Sequence, residues 1–239
     1  EDVGFKLYGI NKWVNDHGID LVIHIHFNDV PRADTSVPGA YTGFAIYVPD
    51  AQFTNGNISQ DAAKKIHDRL AQYFAVSNLP KENAGVVSDQ ELIAIGSNNS
   101  LKAKSVLIEY GYIYESQNTD PTIRPILFQK MANETYTGVK EYFTGRPMPT
   151  IKSLASKRFS LLLEPGMRSS PDVLTLQSVL LALDLYPAAG MNKNDCPLSG
   201  TFGPCTTAAV KAFQKKYGIS PVGHVGPATR AKLNAVYFK

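Results

Sequence analysis

The sequence predicts an α/β domain on a mostly parallel sheet, followed by a small three-helix all-α domain. Three observations carry this. Segments of helical and of strand periodicity alternate through the first 145 residues. A proline-rich break, Arg146-Pro-Met-Pro-Thr150, interrupts that alternation. Beyond it the pattern is helical only, and a glycine turn occurs twice.

Val3, Leu7, Ile10 and Val14 recur at helical spacing with Trp13 alongside, and Gly18 is placed to end that helix. In Ile19–Phe27, residues Leu21, Ile23, Ile25 and Phe27 alternate with Asp20, Val22, His24 and His26, which reads as a strand. Thr42–Val48 is a second strand. Ser59 is expected to cap the next helix, whose stripe is Ala62, Ile66, Leu70 and Phe74. Ser105–Ile108 reads as a short buried strand, and Ile126–Phe143 as a last helix ending at Gly145. Two prolines within three residues then favour an extended connector. The expected division is 1–145 for the first domain, 146–158 for the linker and 159–239 for the second domain.

In the tail, Ser170-Pro171-Asp172 offers a capping hydroxyl, a first-turn proline and an early acid. The helix it opens is faced by Val173, Leu176, Leu180 and Leu183. Ala209, Val210, Phe213 and Tyr217 mark a second helix, and Thr229, Leu233, Val236 and Tyr237 a third. Gly200-Thr-Phe-Gly203-Pro204-Cys-Thr206-Thr-Ala208 recurs as Gly223-His-Val-Gly226-Pro227-Ala-Thr229-Arg-Ala231. In each copy a turn presents one apolar residue, Phe202 or Val225, and a proline enters a helix where its missing amide costs no hydrogen bond. By itself this is a helix-packing device that can leave a groove.

Composition excludes more than it identifies. Apolar residues at 44% and charged ones at 19% of 239 are ordinary for globular domains. No run of about 18 apolar residues occurs, so no membrane span is expected, and the chain opens without a signal peptide, one having been removed upstream if it existed. The net charge of +3 leans toward anionic surfaces, yet the basic residues are scattered and solubility explains them equally. No nucleic-acid partner is expected. Cys196 and Cys205 are either two half-buried thiols or a bridge; a bridge closes a loop worth roughly 2–3 kcal/mol and points to an oxidising compartment.

With those residues laid out, the tail from Phe159 to Phe238 resembles the peptidoglycan-binding module appended to many wall hydrolases. Leu176-Gln177, the Gly-Thr-Phe-Gly turn, Ala209-Val210-Lys211-Ala212-Phe213-Gln214 and Val225-Gly226-Pro227-Ala228-Thr229 carry the likeness, and Asn192–Pro197 is an insertion relative to it. Leu7 to Phe143 resembles the zinc-dependent N-acetylmuramoyl-L-alanine amidases. Asp20-Leu-Val-Ile-His-Ile-His26-Phe-Asn28 is similar to their strand ending in a metal-binding histidine, and Val106-Leu107-Ile108-Glu109-Tyr110-Gly111-Tyr112-Ile113 to the motif of their catalytic glutamate. The resemblance implies a partial amidase domain, His26 as a ligand of Zn2+, Glu109 as general acid/base, peptidoglycan as partner, and an autolysin secreted to the cell wall or periplasm.

The residues point the same way. In α/β sheets, sites form beyond the carboxyl ends of strands, and His26 and Glu109 are polar groups directly after apolar runs. A catalytic zinc takes three protein ligands. The family's Gly-His-Gly-type turn and the glutamate of its next helix have no counterpart here, so the chain is expected to begin inside the domain. His24 points to the same strand face as His26 and is either a further ligand or its hydrogen-bonded neighbour. His17 and His67 read as surface residues and His224 as part of the repeat turn. The expected function is cleavage of the amide between N-acetylmuramic acid and L-alanine. The alternative is a non-catalytic wall-binding or surface structural protein with a degenerate hydrolase domain.

Overall fold

A computed structural model describes residues 2–148, 158–193 and 195–238. They fall into two compact units, Glu1–Asn118 with Met131–Met148, and Thr119–Lys130 with Pro149–Lys239. Most of the expected linker, 149–157, lies outside the described residues.

The first unit holds helix α1 (Asp2–Asp16), strands β1 (Leu21–Asn28) and β2 (Ala45–Pro49), helix α2 (Gly56–Leu70), and strands β3 (Val86–Asp89) and β4 (Lys104–Tyr112). The short helix α3 (Ser116–Thr119) follows, then the long helix α4 (Arg124–Thr144), of which the part from Met131 onward belongs to this unit. The sheet runs in the order β1-β4-β2-β3. The β1–β4 and β2–β3 pairings are parallel and the central β4–β2 pairing is antiparallel. The sheet is therefore mixed but mostly parallel, as its alternation with helices implies.

Its faces are covered differently. Buried on α2 are Ala62, Ala63, Ile66 and Leu70, while Ile46, Val48, Val106 and Ile108 of the strands are fully enclosed. Helix α4 approaches α2 so closely at Gly138 that an added Cβ would fall 2.6 Å from the Ile66 Cα. Elsewhere Ala45, Tyr47 and Leu107 pack with Ala94, Ile95 and Leu7. Each large aliphatic side chain so enclosed contributes about 1.5–3 kcal/mol.

Three local expectations are corrected. Ser59 does not cap α2: the helix begins after Asn55, and the buried Ser59 Oγ accepts the Ser105 amide at 2.9 Å. Along α1, Ile10 is exposed, whereas Asn11 is buried and donates to Ile93 O and Ser100 Oγ. The inward face is thus Leu7, Asn11 and Val14, a helical i, i+4, i+7 stripe with a satisfied amide in its middle. Strand β3 was not anticipated, because its four residues show neither a long apolar run nor clean alternation.

The second unit contains helices α5 (Pro171–Ala182), α6 (Pro204–Lys216) and α7 (Pro227–Tyr237). Ser170 caps α5 by accepting from the Val173 amide. The sequence repeat is a repeated hydrogen-bond latch. Gln177, fully buried on α5, donates to Thr201 O and Thr206 Oγ1 and accepts the Ser199 and Gly200 amides. Gln214 on α6 does the same one step later, donating to His224 O and Thr229 Oγ1 and accepting the Gly223 amide. Each glutamine satisfies a turn that would otherwise bury unpaired backbone groups, at about 1–3 kcal/mol per orphaned group. Leu163 bridges to Val225, and Phe159 exchanges two hydrogen bonds with Asn234 of α7. Cys196 and Cys205 are bridged, with Cα atoms 5.6 Å apart, which ties the inserted loop across the first glycine turn to the first residues of α6. Among the described residues no helix is long and apolar enough to cross a membrane.

Candidate functional site

The parallel register of β1 and β4 sets His26 directly opposite Glu109. Their side chains meet, with His26 Nδ1 at 3.9 Å from Glu109 Oε1. The imidazole is about half exposed and the carboxylate largely enclosed, at 52% and 14% of their accessible surface. One group thus faces solvent while the other stands at the wall behind it.

Burial, and after it the field of Glu82, pushes the Glu109 carboxyl up to about 7. Removing a carboxylate from water disfavours its charged form, and a second negative charge nearby acts in the same direction. Glu109 Oε2 is buried without a hydrogen-bond partner. Beside it, burial holds the His24 imidazole below its ordinary value, with the backbone at Ala94 opposing and the neighbouring His26 adding to the effect. His24 Nε2 is also buried and unpartnered, and the two imidazoles stand edge to face with centroids 6.5 Å apart.

Glu82 was not singled out in the sequence. It is 1% exposed, and its two oxygens accept four hydrogen bonds. Oε1 takes Asn28 Nδ2 at 2.9 Å and Tyr47 OH at 2.5 Å; Oε2 takes Ser77 Oγ at 2.6 Å and Tyr112 OH at 3.1 Å. The two phenols are held above the usual tyrosine range by burial and by this carboxylate. No motif announces Glu82, since Leu79-Pro-Lys-Glu-Asn83 reads as a solvated loop.

A bulge makes this junction possible. Between its pairings with His26 and Asn28, β4 advances from Glu109 to Tyr112 while β1 advances only two residues. Strict alternation would put Gly111 opposite Asn28 and send Tyr112 to the other face. The extra residue brings Tyr112 opposite Asn28, where both reach Glu82. Gly111 absorbs the distortion at φ 138°, and a Cβ there would fall 2.7 Å from Glu115 Oε2. Glu115 in turn accepts the Tyr112 and Gly43 amides, anchoring the end of β4. Beyond it Tyr114 stacks on Tyr112 and lies under the Arg32 guanidinium, 4.6 Å from the ring centroid.

The remaining histidines lie elsewhere. His17 is exposed at the end of α1, stacked on Trp13. His67 is partly enclosed rather than a surface residue: its ring packs on Phe44, and Gly85 lies so close that an added Cβ would meet Nε2 at 2.3 Å. The His224 carbonyl belongs to the second glutamine latch. Among the described residues no three His, Cys, Asp or Glu side chains converge as a metal-holding set. For a zinc ion the fit is partial. The His26 imidazole is a suitable donor and the unpartnered Glu109 oxygen beside it is placed to act on a bound water, but the set falls short of three protein ligands.

Residues 1–141 match the family described as N-acetylmuramoyl-L-alanine amidase, and residues 169–233 match a putative peptidoglycan binding domain. The N-acetylmuramoyl-L-alanine amidase CwlL of Bacillus licheniformis is 41% identical over 93 residues, covering 39% of this chain and 23% of that protein. A probable N-acetylmuramoyl-L-alanine amidase of the same organism is 41% identical over 61 residues, covering 26% and 17%. The chain thus spans about a quarter or less of the length of these relatives. Among solved structures, an N-acetylmuramyl-L-alanine amidase of Mycobacterium smegmatis is 18% identical, with a TM-score of 0.46 over 59% of this chain and 61% of that one. Its Mycobacterium abscessus counterpart is 20% identical, with a TM-score of 0.47 over 57% and 61%.

Proposed function

The chain belongs to the N-acetylmuramoyl-L-alanine amidase family, and on that premise we propose that it hydrolyses the amide joining N-acetylmuramic acid to the L-alanine of the stem peptide. The observation that carries the reading is the meeting of His26 and Glu109 at the carboxyl ends of two parallel strands. Glu109 takes a proton from the attacking water as its oxygen bonds to the lactyl carbonyl carbon. It holds that proton on its carboxyl group and returns it to the alanine nitrogen as the C–N bond breaks. In the metal-free chain burial raises this carboxyl group, a bound cation would lower it again, and the two opposed effects suit a general base that must release what it has taken. His26 is the proposed ligand of a zinc ion, which when bound supplies Lewis-acid polarisation of the scissile carbonyl. His24, whose pKa burial lowers and whose ring stands edge to face with that of His26, is assigned to orienting that ligand.

In the proposed division of labour, residues 1–145 act on the substrate and 159–239 hold the wall, joined by 146–158. The second part raises the local concentration of the first at its polymer. A secreted protein working at the cell wall or periplasm accords with the Cys196–Cys205 bridge.

Mass spectrometry of purified peptidoglycan incubated with the chain is expected to show stem peptides with a free alanine amine. After loading with zinc, elemental analysis is expected to find less metal in His26→Ala than in the parent. Intact amide bonds together with no zinc would favour the rival reading, a wall-binding protein without turnover. A chain ended at Met148, which keeps the Glu141 hydrogen bond to the Met148 amide, is expected to lose most sedimentation with insoluble peptidoglycan while still cleaving soluble fragments. Undiminished sedimentation would refute the division of labour.

A further inference from the structure

We infer that Glu82 is a positioning residue of this site: by joining Asn28 to Tyr112 through one buried carboxylate, it holds the ends of β1 and β4 so that His26 and Glu109 face each other. The inference rests on the amidase reading above and adds to it a residue with no place in either recognised motif.

Asn28 lies two residues beyond His26 on β1, and Tyr112 three beyond Glu109 on β4. Both donate to Glu82. Beyond that register the Ile113 amide donates to Asn28 O, and the carboxylate adds a side-chain link where the sheet stops pairing. Tyr47 of β2 and Ser77 of the loop after α2 supply the other two donors, so that each carboxylate oxygen accepts one bond from a strand end and one from elsewhere. Two local turns deliver it: the Glu82 amide donates to Leu79 O and the Gly85 amide to Glu82 O, each at 2.8 Å. Four donors converging on one buried carboxyl group satisfy both of its oxygens and fix its position from four separate points of the chain.

Apolar residues of similar volume often replace buried ionic groups without loss of stability, so stability alone does not account for a carboxylate here. What an apolar residue could not do is bind four hydroxyl and amide donors from separate segments at fixed distances. The bulge at Gly111 points the same way: it sacrifices regular pairing and turns Tyr112 onto Glu82.

The test is Glu82→Gln in the full chain, which keeps the shape but removes the charge. Assayed well below its melting temperature, the variant is expected to lose about 10–100-fold in kcat with KM within about twofold, the pattern of an orientation defect. In 15N-resolved NMR spectra, the Asn28 side-chain amide of the parent should show slowed solvent exchange and a shifted resonance, both lost in the variant. Tyr47→Phe removes one donor of the four and should reproduce both changes more weakly; it replaces Glu82→Gln if that variant does not fold. A variant with lowered melting temperature but parental kcat and an unchanged Asn28 amide would overturn the inference. If the parent itself releases no muropeptide, the amidase reading fails separately. The amide signal alone then decides: its loss supports the positioning role and its persistence overturns it.

Discussion

Glu109→Gln is expected to lower kcat by about 100- to 10,000-fold, the usual worth of a general acid/base. The substitution conserves shape, so KM and zinc content should stay close to those of the parent. What disappears is the ability to accept and return a proton. The loss should appear equally in kcat and kcat/KM, because the proton is in flight only in the transition state. Enclosure contributes to this: a carboxyl group in open water returns its proton poorly at neutral pH, whereas burial in the metal-free chain raises this one. Parental turnover by Glu109→Gln in a muropeptide-release assay would remove Glu109 from the reaction.

The same substitution is expected to stabilise the metal-free protein at pH 8 and to leave it unchanged near pH 4. Below about pH 4.5 both folded and unfolded chains hold the Glu109 proton, so the group contributes nothing. As pH rises toward 7, the unfolded chain releases it while the folded chain retains it, and stability falls. Above 7 the full cost is present, about 3 kcal/mol at most. Gln carries no such penalty, so in chelator the variant should melt up to about 6–12 °C above the parent at pH 8. The difference should close progressively between pH 7 and 4.5. A melting-temperature difference that is the same at both pH values would contradict the burial of this carboxyl group.

His26 and Glu109 were legible because each is a polar residue straight after an apolar run, at a strand end where a core has no use for it. Parallel pairing then brings those ends together, and the structure sets them opposite each other in register. The glutamine latches were half legible. The repeated glycine turns were visible, whereas Gln177 and Gln214 looked like ordinary polar helix positions until packing enclosed them. Asn11 and Ser59 misled for a related reason. A polar side chain satisfied by a distant backbone group carries no local mark of being buried, and an apolar neighbour such as Ile10 claims its place in the pattern.

Taken alone, the amino-acid order determined the alternation of helix and strand, the two-part organisation, the repeat and the two polar strand ends, since all of these follow from local periodicity and turn chemistry. Tertiary structure alone decided that Glu82 is a buried junction, that a bulge turns Tyr112 onto it, and that Glu109 is enclosed enough to hold a proton near neutrality. Those properties depend on desolvation and on donors from segments far apart in the chain. Neither exists until the sheet and its loops have closed around the carboxylate.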